Sequence, residues 1–191
     1  VSRSFVEASK ARVQELAERR FEGMRFAAIF IDGVCFARQT LVVAVGVTEE
    51  GRKQILSMRQ GATENARVCV DLPEDLRERG VDTEQRILFI LDGSKALRSA
   101  VDRVWGKRAE VQRCQQHKLR NVQAYVPERH WEDVRSAIRK AYAETSYNNA
   151  KRMLETTARW LDRINPHAAA SLREGLDETL TVIRLGLHGR L

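Results

Sequence analysis

One pattern occurs twice in the chain: a short apolar run that ends in aspartate and then glycine. The copies are residues 29–33 (IFIDG) and 89–93 (FILDG). Runs rich in Ile, Phe and Leu that end in a turn residue are typical of strands buried on both faces. We expect Asp32 and Asp92 to leave the core directly after their strands, where glycine lets the backbone turn and a ligand approach. On neighbouring strands, the two carboxylates could share one hard cation such as Mg²⁺ or Mn²⁺.

Each copy taken alone also has a simpler interpretation. An apolar run followed by Asp-Gly is common, and in most proteins it marks only the end of a strand with ordinary turn chemistry. The repetition is what favours a functional site, because it predicts two carboxylates at one edge of a sheet.

The composition narrows the class of protein. The 191 residues are 43% hydrophobic and 31% charged, enough for one globular domain or a domain with a helical insertion. The net charge of +7 and the pI near 9.7 fit a polyanionic partner, nucleic acid first, although proteins that bind none can be equally basic. Three sparse cysteines, Cys35, Cys69 and Cys114, do not form a disulfide framework and predict a reducing cytosol. No apolar run approaches the ~20 residues that cross a membrane, so no membrane association is expected.

The first half of the chain alternates between helical and strand periodicity. Residues 2–20 predict a helix, and three strands joined by short turns then predict an antiparallel meander over residues 26–31, 40–47 and 53–58. A helix follows to about Arg79, with Thr63 as its N-cap and a kink or break at Pro73. Next come a strand at 86–91, a helix at 95–105 and a strand at 110–113. This order predicts an α/β fold in which a mixed sheet is flanked by helices, as in the ribonuclease-H-like fold.

The second half has an almost entirely helical pattern. Helices are predicted at residues 115–125, 131–143, 146–164 and 166–176, the last beginning at an Asn-Pro start signal. Residues 179–185 are apolar and β-branched, and they fit a strand or a new helix equally well.

Five stretches together resemble the mutator-type bacterial insertion-sequence transposases, a branch of the Asp-Asp-Glu transposases. They are residues 31–34 (IDGV), 61–65 (GATEN), 91–97 (LDGSKAL), 113–121 (RCQQHKLRN) and 180–186 (LTVIRLG). The resemblance implies a ribonuclease-H-like core interrupted by an all-helical insertion. It predicts an approach helix or linker (1–24), the first part of the core (25–126), the helical insertion (127–177) and the start of the return to the core (178–191).

The same resemblance implies a catalytic site. Asp32 and Asp92 match the first two catalytic carboxylates, which in this family bind two Mg²⁺ (or Mn²⁺) ions for DNA strand cleavage and strand transfer. The third carboxylate, a glutamate, is expected beyond Leu191. Glu174 and Glu178 precede that point and are interpreted as surface of the insertion. Residues 1–191 alone are therefore predicted to be catalytically incomplete.

A Cys-x-x-His pair and several basic residues surround the second aspartate. Cys114 and His117 match a family signature near the site; alone they are half of a zinc site, and a buried Cys with a His that positions core or DNA is the preferred interpretation. The basic residues together are candidates for mostly sequence-independent contacts with DNA phosphates, although for any one of them alone ordinary solvated charge is the preferred interpretation: Lys95, Arg98, Arg113, Lys118 and Arg120.

Three functions stay open at this point. The first is a fragment of a transposase that acts on transposon ends and target DNA, homo-oligomeric when full length, in the bacterial cytoplasm at the nucleoid. The second is a nuclease or resolvase of the same core fold, which uses the aspartate pair without strand transfer. The third is an inactive truncated remnant that binds DNA or the intact transposase.

Overall fold

The computed structural model describes residues 3–36, 39–61 and 66–187. The chain divides into two compact units, Val1–Glu110 and Val111–Leu191, and each is described by itself. The predicted boundaries at residues 24, 126 and 177 stay predictions.

The first unit alternates strands and helices. Its elements are α1 (Arg3–Glu18), β1 (Phe26–Phe36), β2 (Gln39–Thr48), β3 (Lys53–Gln60), α2 (Ala66–Glu78), β4 (Ile87–Leu91) and α3 (Lys95–Trp105), and β5 (Ala109–Arg113) crosses into the second unit. The five strands form one sheet in the order β3-β2-β1-β4-β5. β1, β2 and β3 pair antiparallel, whereas β4 pairs parallel to β1. The predicted meander and mixed sheet are confirmed, and the arrangement is compatible with a ribonuclease-H-like fold.

One prediction about β1 is wrong. The strand does not end before Asp32 but continues to Phe36, and Asp32 pairs with Val43 in the antiparallel ladder. Gly33 likewise pairs with Val42 and does not turn the chain. The β-branched residues of β2 supply partners for β1, and β1 continues through Asp32 and Gly33 into a second apolar stretch at residues 34–36.

The two faces of the sheet differ in burial. Ile29, Ile31, Leu56, Phe89 and Leu91 lie in the core. α2 and α3 contact each other, and α2 also contacts β3. On the opposite face, four large apolar residues are between 36% and 47% exposed: Phe30, Val34, Ile55 and Met58.

Pro73 does not interrupt α2, which runs from Ala66 to Glu78 without a break. The proline removes one backbone donor, but Cys69, Leu72 and Leu76 on the same helix are buried at 1% exposure or less. Their burial offsets the lost hydrogen bond. The predicted N-cap, Thr63, lies outside the described residues.

The second unit is helical. It contains α4 (Gln115–Gln123), α5 (Trp131–Tyr142), α6 (Tyr147–Asp162), α7 (Pro166–Arg173) and α8 (Thr181–Arg184), with 3-10 turns at Glu128–His130 and Asp177–Leu180. Apolar residues of these elements form one buried cluster. Residues 179–185, for which strand and helix were equally good predictions, are helical. The Gln112 side chain donates to Thr179 O and accepts the Val182 N–H. A strand would need these two backbone groups for pairing with a neighbouring strand, so their bonds to Gln112 favour the helical turns.

Arg79 connects three elements of the first unit. Its guanidinium donates to Leu16 O at 2.9 Å, to Leu56 O at 2.6 Å and to Asp75 Oδ2 at 2.7 Å. It also lies 5.0 Å from the centre of the Phe21 ring. Only 6% of Arg79 is exposed, so α1, α2 and β3 share one buried cation.

We expect Arg79→Met to lower the free energy of unfolding by about 3 kcal/mol, since it removes the buried donor of the Leu16 and Leu56 carbonyls and one of the two arginines paired with Asp75. Arg52→Met removes an exposed arginine and should cost less than about 1 kcal/mol. Urea denaturation of both variants measures the difference. Equal midpoints would contradict this role of Arg79.

Candidate active site

The register of β1 and β4 brings Asp32 and Asp92 to equivalent positions. The parallel ladder ends at the pair Ile31 with Leu91, and each aspartate is the next residue of its own chain segment. Adjacent strands lie about 4.8 Å apart, so Asp32 and Asp92 are neighbours across two interior strands of the sheet, at the point where β4 ends. The prediction that both aspartates lie on adjacent strands agrees with this register.

Different backbone geometry holds each aspartate. Asp32 lies within β1 and accepts the Gly33 N–H at 2.8 Å through Oδ1. Asp92 follows the end of β4 and accepts the Ser94 N–H at 2.9 Å. Gly93, which lies between Asp92 and Ser94, has φ 108°, where a side chain would be strained. The predicted turn therefore exists at Gly93 and not at Gly33.

The start of α3 lies beside Asp92. The Ser94 side chain accepts the Leu97 N–H at 3.3 Å and caps the helix. The free N–H groups and the dipole of a helix N-terminus favour anionic groups nearby. Asp92 therefore occupies a short connection that is fixed on both sides, by β4 before it and by a capped helix after it.

The carboxylate pair borders the exposed apolar face of the sheet. Alternation along β1 places Asp32 between Phe30 and Val34 on this face, while Ile31 points into the core. Val43, the partner of Asp32, pairs in turn with Met58. The surface next to the two aspartates is thus apolar, which is unusual for a face left to water.

Cys114 and His117 lie one turn apart at the start of α4. Cys114 is the N-cap residue and His117 lies in the first turn, and both are half-buried. In the described ranges 3–36, 39–61 and 66–187, no group of three or more His, Cys, Asp or Glu side chains is placed to hold a metal ion. The preferred interpretation of the pair, as structural residues near the site, stays a prediction.

Three of the five candidate DNA-contacting residues are accessible to solvent. Lys95 is exposed at the first position of α3, and Arg120 is exposed on α4. Arg98 is one-third exposed and forms an ion pair with Asp102 one turn along α3. Accessible cations of this kind fit phosphate contacts, and their contact with DNA stays a prediction.

Arg113 and Lys118 are buried, at odds with the predicted phosphate contact. Arg113 is 7% exposed and donates to Glu174 O at 3.1 Å and to Glu174 Oε2 at 3.2 Å. Lys118 is fully buried, and its Nζ donates to Ser171 O and Glu174 O, each at 2.6 Å. These carbonyls belong to the last turn of α7 and its C-cap. The structure therefore shows both cations as internal helix caps.

Comparison with known proteins identifies the family. The model of the family described as "Transposase, Mutator family" matches residues 1–188. The chain belongs to the mutator family of transposases. It is 29% identical over 173 residues to the transposase for insertion sequence element ISRM5 of Rhizobium meliloti (strain 1021), a match that covers 89% of this chain and 40% of that protein.

Two other relatives are similarly distant. The transposase for element IST2 of Acidithiobacillus ferrooxidans is 27% identical, with 75% of this chain and 48% of that protein covered. The transposase for element IS6120 of Mycolicibacterium smegmatis is 30% identical, with 73% and 42% covered. The chain spans less than half the length of these curated relatives.

Sequence reasoning missed the structural role of Glu174 in this mutator-family chain. Its carbonyl and carboxylate both face buried cations. The adjacent Gly175 has φ 62°, and a Cβ at this position would lie 2.7 Å from Arg113 Nη1. A glutamate followed by glycine after a helix was the available signal. Its partners lie 56 and 61 residues away, beyond the reach of local patterns.

The structure also bears on the expectation about membranes. Across the described residues, no helix is long and apolar enough to span a membrane.

The burial of Lys118 predicts a pH-dependent stability. Burial, and secondarily the charge of Arg113, lowers the pKa of Lys118 from 10.5 to about 8, against the opposing effect of Glu174 and Glu178. Between these pH values the unfolded chain binds the proton that the folded chain has released. The free energy of unfolding should therefore rise as the pH increases from about 8 towards 10.5.

Lys118→Met should lose this rise, whereas the exposed Lys140→Met should keep it. Urea denaturation at several pH values compares the three proteins. Tyr142, whose pKa burial raises to about 12, is common to all of them and cancels in the differences. Parallel stability curves for wild type and Lys118→Met would contradict the prediction.

Proposed function

We propose that this chain is the part of an insertion-sequence transposase that contains the first two catalytic carboxylates for DNA strand cleavage and strand transfer. The observation that carries the proposal is the pairing of Ile31 with Leu91, which makes Asp32 and Asp92 neighbours across β1 and the end of β4. Membership of the mutator family and the insertion-sequence relatives support the DNA chemistry. The proposed partners are transposon ends and target DNA, with a homo-oligomer as the full-length form.

The residues present fit a divalent-metal site of the Asp-Asp-Glu type in part. Asp32 and Asp92 offer hard oxygen ligands of the kind that Mg²⁺ and Mn²⁺ prefer. One oxygen of each accepts a backbone N–H, which fixes the orientation of the carboxylate. Bound divalent ions would supply charge neutralisation at the scissile phosphate and activation of an attacking hydroxyl. Two carboxylates alone leave such a site short of ligands.

We propose that the third carboxylate comes from residues outside 1–191, on a segment that covers the apolar sheet face. The reason is physical: Phe30, Val34, Ile55 and Met58 lie beside Asp32 on a face that a covering helix would bury. An amphipathic helix there could place a glutamate next to the aspartate pair. Glu174 is already occupied by Arg113 and Lys118, which supports its exclusion as the third ligand.

Two alternatives make different experimental demands. A nuclease or resolvase of the same core would cut DNA without joining it, so strand-transfer products distinguish it from a transposase. An inactive remnant would bind DNA or the intact transposase without chemistry. Sequencing the gene past the Leu191 codon separates the latter case: an open frame that soon supplies a glutamate supports the transposase, and an immediate stop codon supports the remnant.

Asp32→Asn and Asp92→Asn should each abolish transposition by the gene that encodes this chain, because each removes one charged metal ligand. Asp71→Asn is the matched control, since Asp71 is an exposed aspartate on α2 paired loosely with Arg67. Titration of Mn²⁺ followed by electron paramagnetic resonance gives a second readout. Unchanged transposition in either site variant would overturn the proposal.

The purified chain of residues 1–191 should bind Mn²⁺ weakly and show no metal-dependent strand cleavage on its own. The expected reason is that the aspartate pair needs a third carboxylate from outside these residues. A supercoiled plasmid incubated with the chain and Mg²⁺ or Mn²⁺ tests this by gel electrophoresis. Robust nicking that Asp92→Asn eliminates would refute the requirement for a further ligand.

A further inference from the structure

The second unit separates its basic side chains into neutralised and unneutralised groups. Several form ion pairs with carboxylates: Arg113 with Glu174, Arg135 with Glu132, Lys151 with Asp177, and Arg173 with Asp162. Other basic residues of the unit have no such partner in the described ranges, and Lys140 and Arg152 are among them. Within the described part of the chain, no carboxylate oxygen lies within 4 Å of either cation.

Lys140 and Arg152 both line one groove between α5 and α6. The groove has a volume of about 500 Å³. The α5 side presents four residues at helical spacing, and α6 presents four more: Asp133, Ser136, Ala137 and Lys140, then Arg152, Met153, Thr156 and Thr157. Lys140 and Arg152 lie towards the connection between the two helices, while Asp133 lies in the first turn of α5 at the other end.

A neutral acceptor positions the guanidinium group of Arg152, the arginine that lines the groove. Arg152 Nη2 donates to Asn149 Oδ1 at 2.9 Å. Arg159 Nη2 donates to Thr156 Oγ1 at 2.8 Å, and Thr156 Oγ1 donates to Arg152 O at 2.9 Å. The bond to Asn149 holds the Arg152 guanidinium in place without cancelling its charge, and an arginine has five N–H donors in total. The remaining donors suit an anionic ligand with several oxygens.

We propose that the α5–α6 groove is a binding site for the phosphate backbone of DNA, with Lys140 and Arg152 as its principal cations and the Ser136 hydroxyl as an added donor. The volume exceeds that of one inorganic phosphate, and cations from two helices fit successive phosphates along a strand. Asp133 sets the far limit of the site, because its charge repels phosphate. This proposal rests on the DNA partner of the proposed function and assigns it residues other than the aspartate pair.

Each cation of the groove would neutralise one DNA phosphate, and the salt dependence of binding measures how many phosphates the protein neutralises. The slope of log Kobs against log[salt] is negative, and each lost phosphate contact reduces its magnitude by about 0.9 for duplex DNA. Fluorescence anisotropy with a short labelled duplex of arbitrary sequence measures this slope for the full chain. Circular dichroism and urea denaturation confirm that each variant is folded.

Lys140→Gln and Arg152→Gln should each bind the labelled duplex several-fold more weakly at low salt. The magnitude of their salt-dependence slope should be smaller by about 1. Asp133→Asn should bind more tightly than wild type, since it removes the opposing charge. Lys151→Gln is the matched control: it removes the same charge from α6, but Lys151 is already paired with Asp177 at 2.8 Å. Its slope should equal that of wild type.

The outcomes separate the two proposals. Equal slopes for Lys140→Gln, Arg152→Gln and Lys151→Gln, with DNA still bound, would overturn the groove and leave the aspartate site unaffected. Groove-dependent binding together with normal transposition by Asp92→Asn would overturn the catalytic proposal and support the groove. A chain that binds no duplex DNA at any salt concentration would overturn the groove and remove the DNA partner from residues 1–191.

Discussion

The parallel register of β1 with β4 is the constraint on which the candidate site depends. Once Ile31 pairs with Leu91, the positions of Asp32 and Asp92 follow from the pleat of the sheet. A slip of one residue would move one carboxylate to the buried face. The core residues Ile29, Ile31 and Leu91 oppose that slip, because a slip would expose them to water. The burial of apolar side chains thus fixes the positions of two carboxylates whose negative charges repel each other.

The two aspartates were predictable because their signals are local. An apolar run with a turn residue identifies a strand and the point at which its side chains leave the core, and the same pattern at 89–93 matched the structure closely. The copy at 29–33 misled as to the strand end, since β1 continues through Asp32 and Gly33 into the apolar residues 34–36 and stays paired with β2. Pairing between strands is a tertiary interaction, and the composition of one segment does not predict how far that pairing extends.

The roles of the basic residues were not predictable in the same way. Arg113 and Lys118 lie within a motif that favours DNA contact, yet they cap α7 from the interior. Lys140 and Arg152 lie in helical stretches with ordinary mixed charge. The distinction depends on which cation meets a carboxylate or carbonyl in three dimensions, over separations of dozens of residues. A basic sequence predicts a polyanionic partner, but only the structure shows which charges are left to meet it.

If the groove binds DNA as proposed, removal of Lys118 and removal of Lys140 would weaken that binding for different reasons. Loss of Lys118 leaves the carbonyls of Ser171 and Glu174 without a donor, so any effect on DNA would follow from a destabilised helical unit. Loss of Lys140 removes no internal bond among the described residues and changes only the charge of the groove. Measurements of protein stability and of the salt dependence of DNA binding distinguish the two cases. A partly unfolded protein binds less DNA in total, but its folded molecules keep the wild-type slope of log Kobs against log[salt]. The physical difference between a structural cation and a binding cation is thus a measurable one.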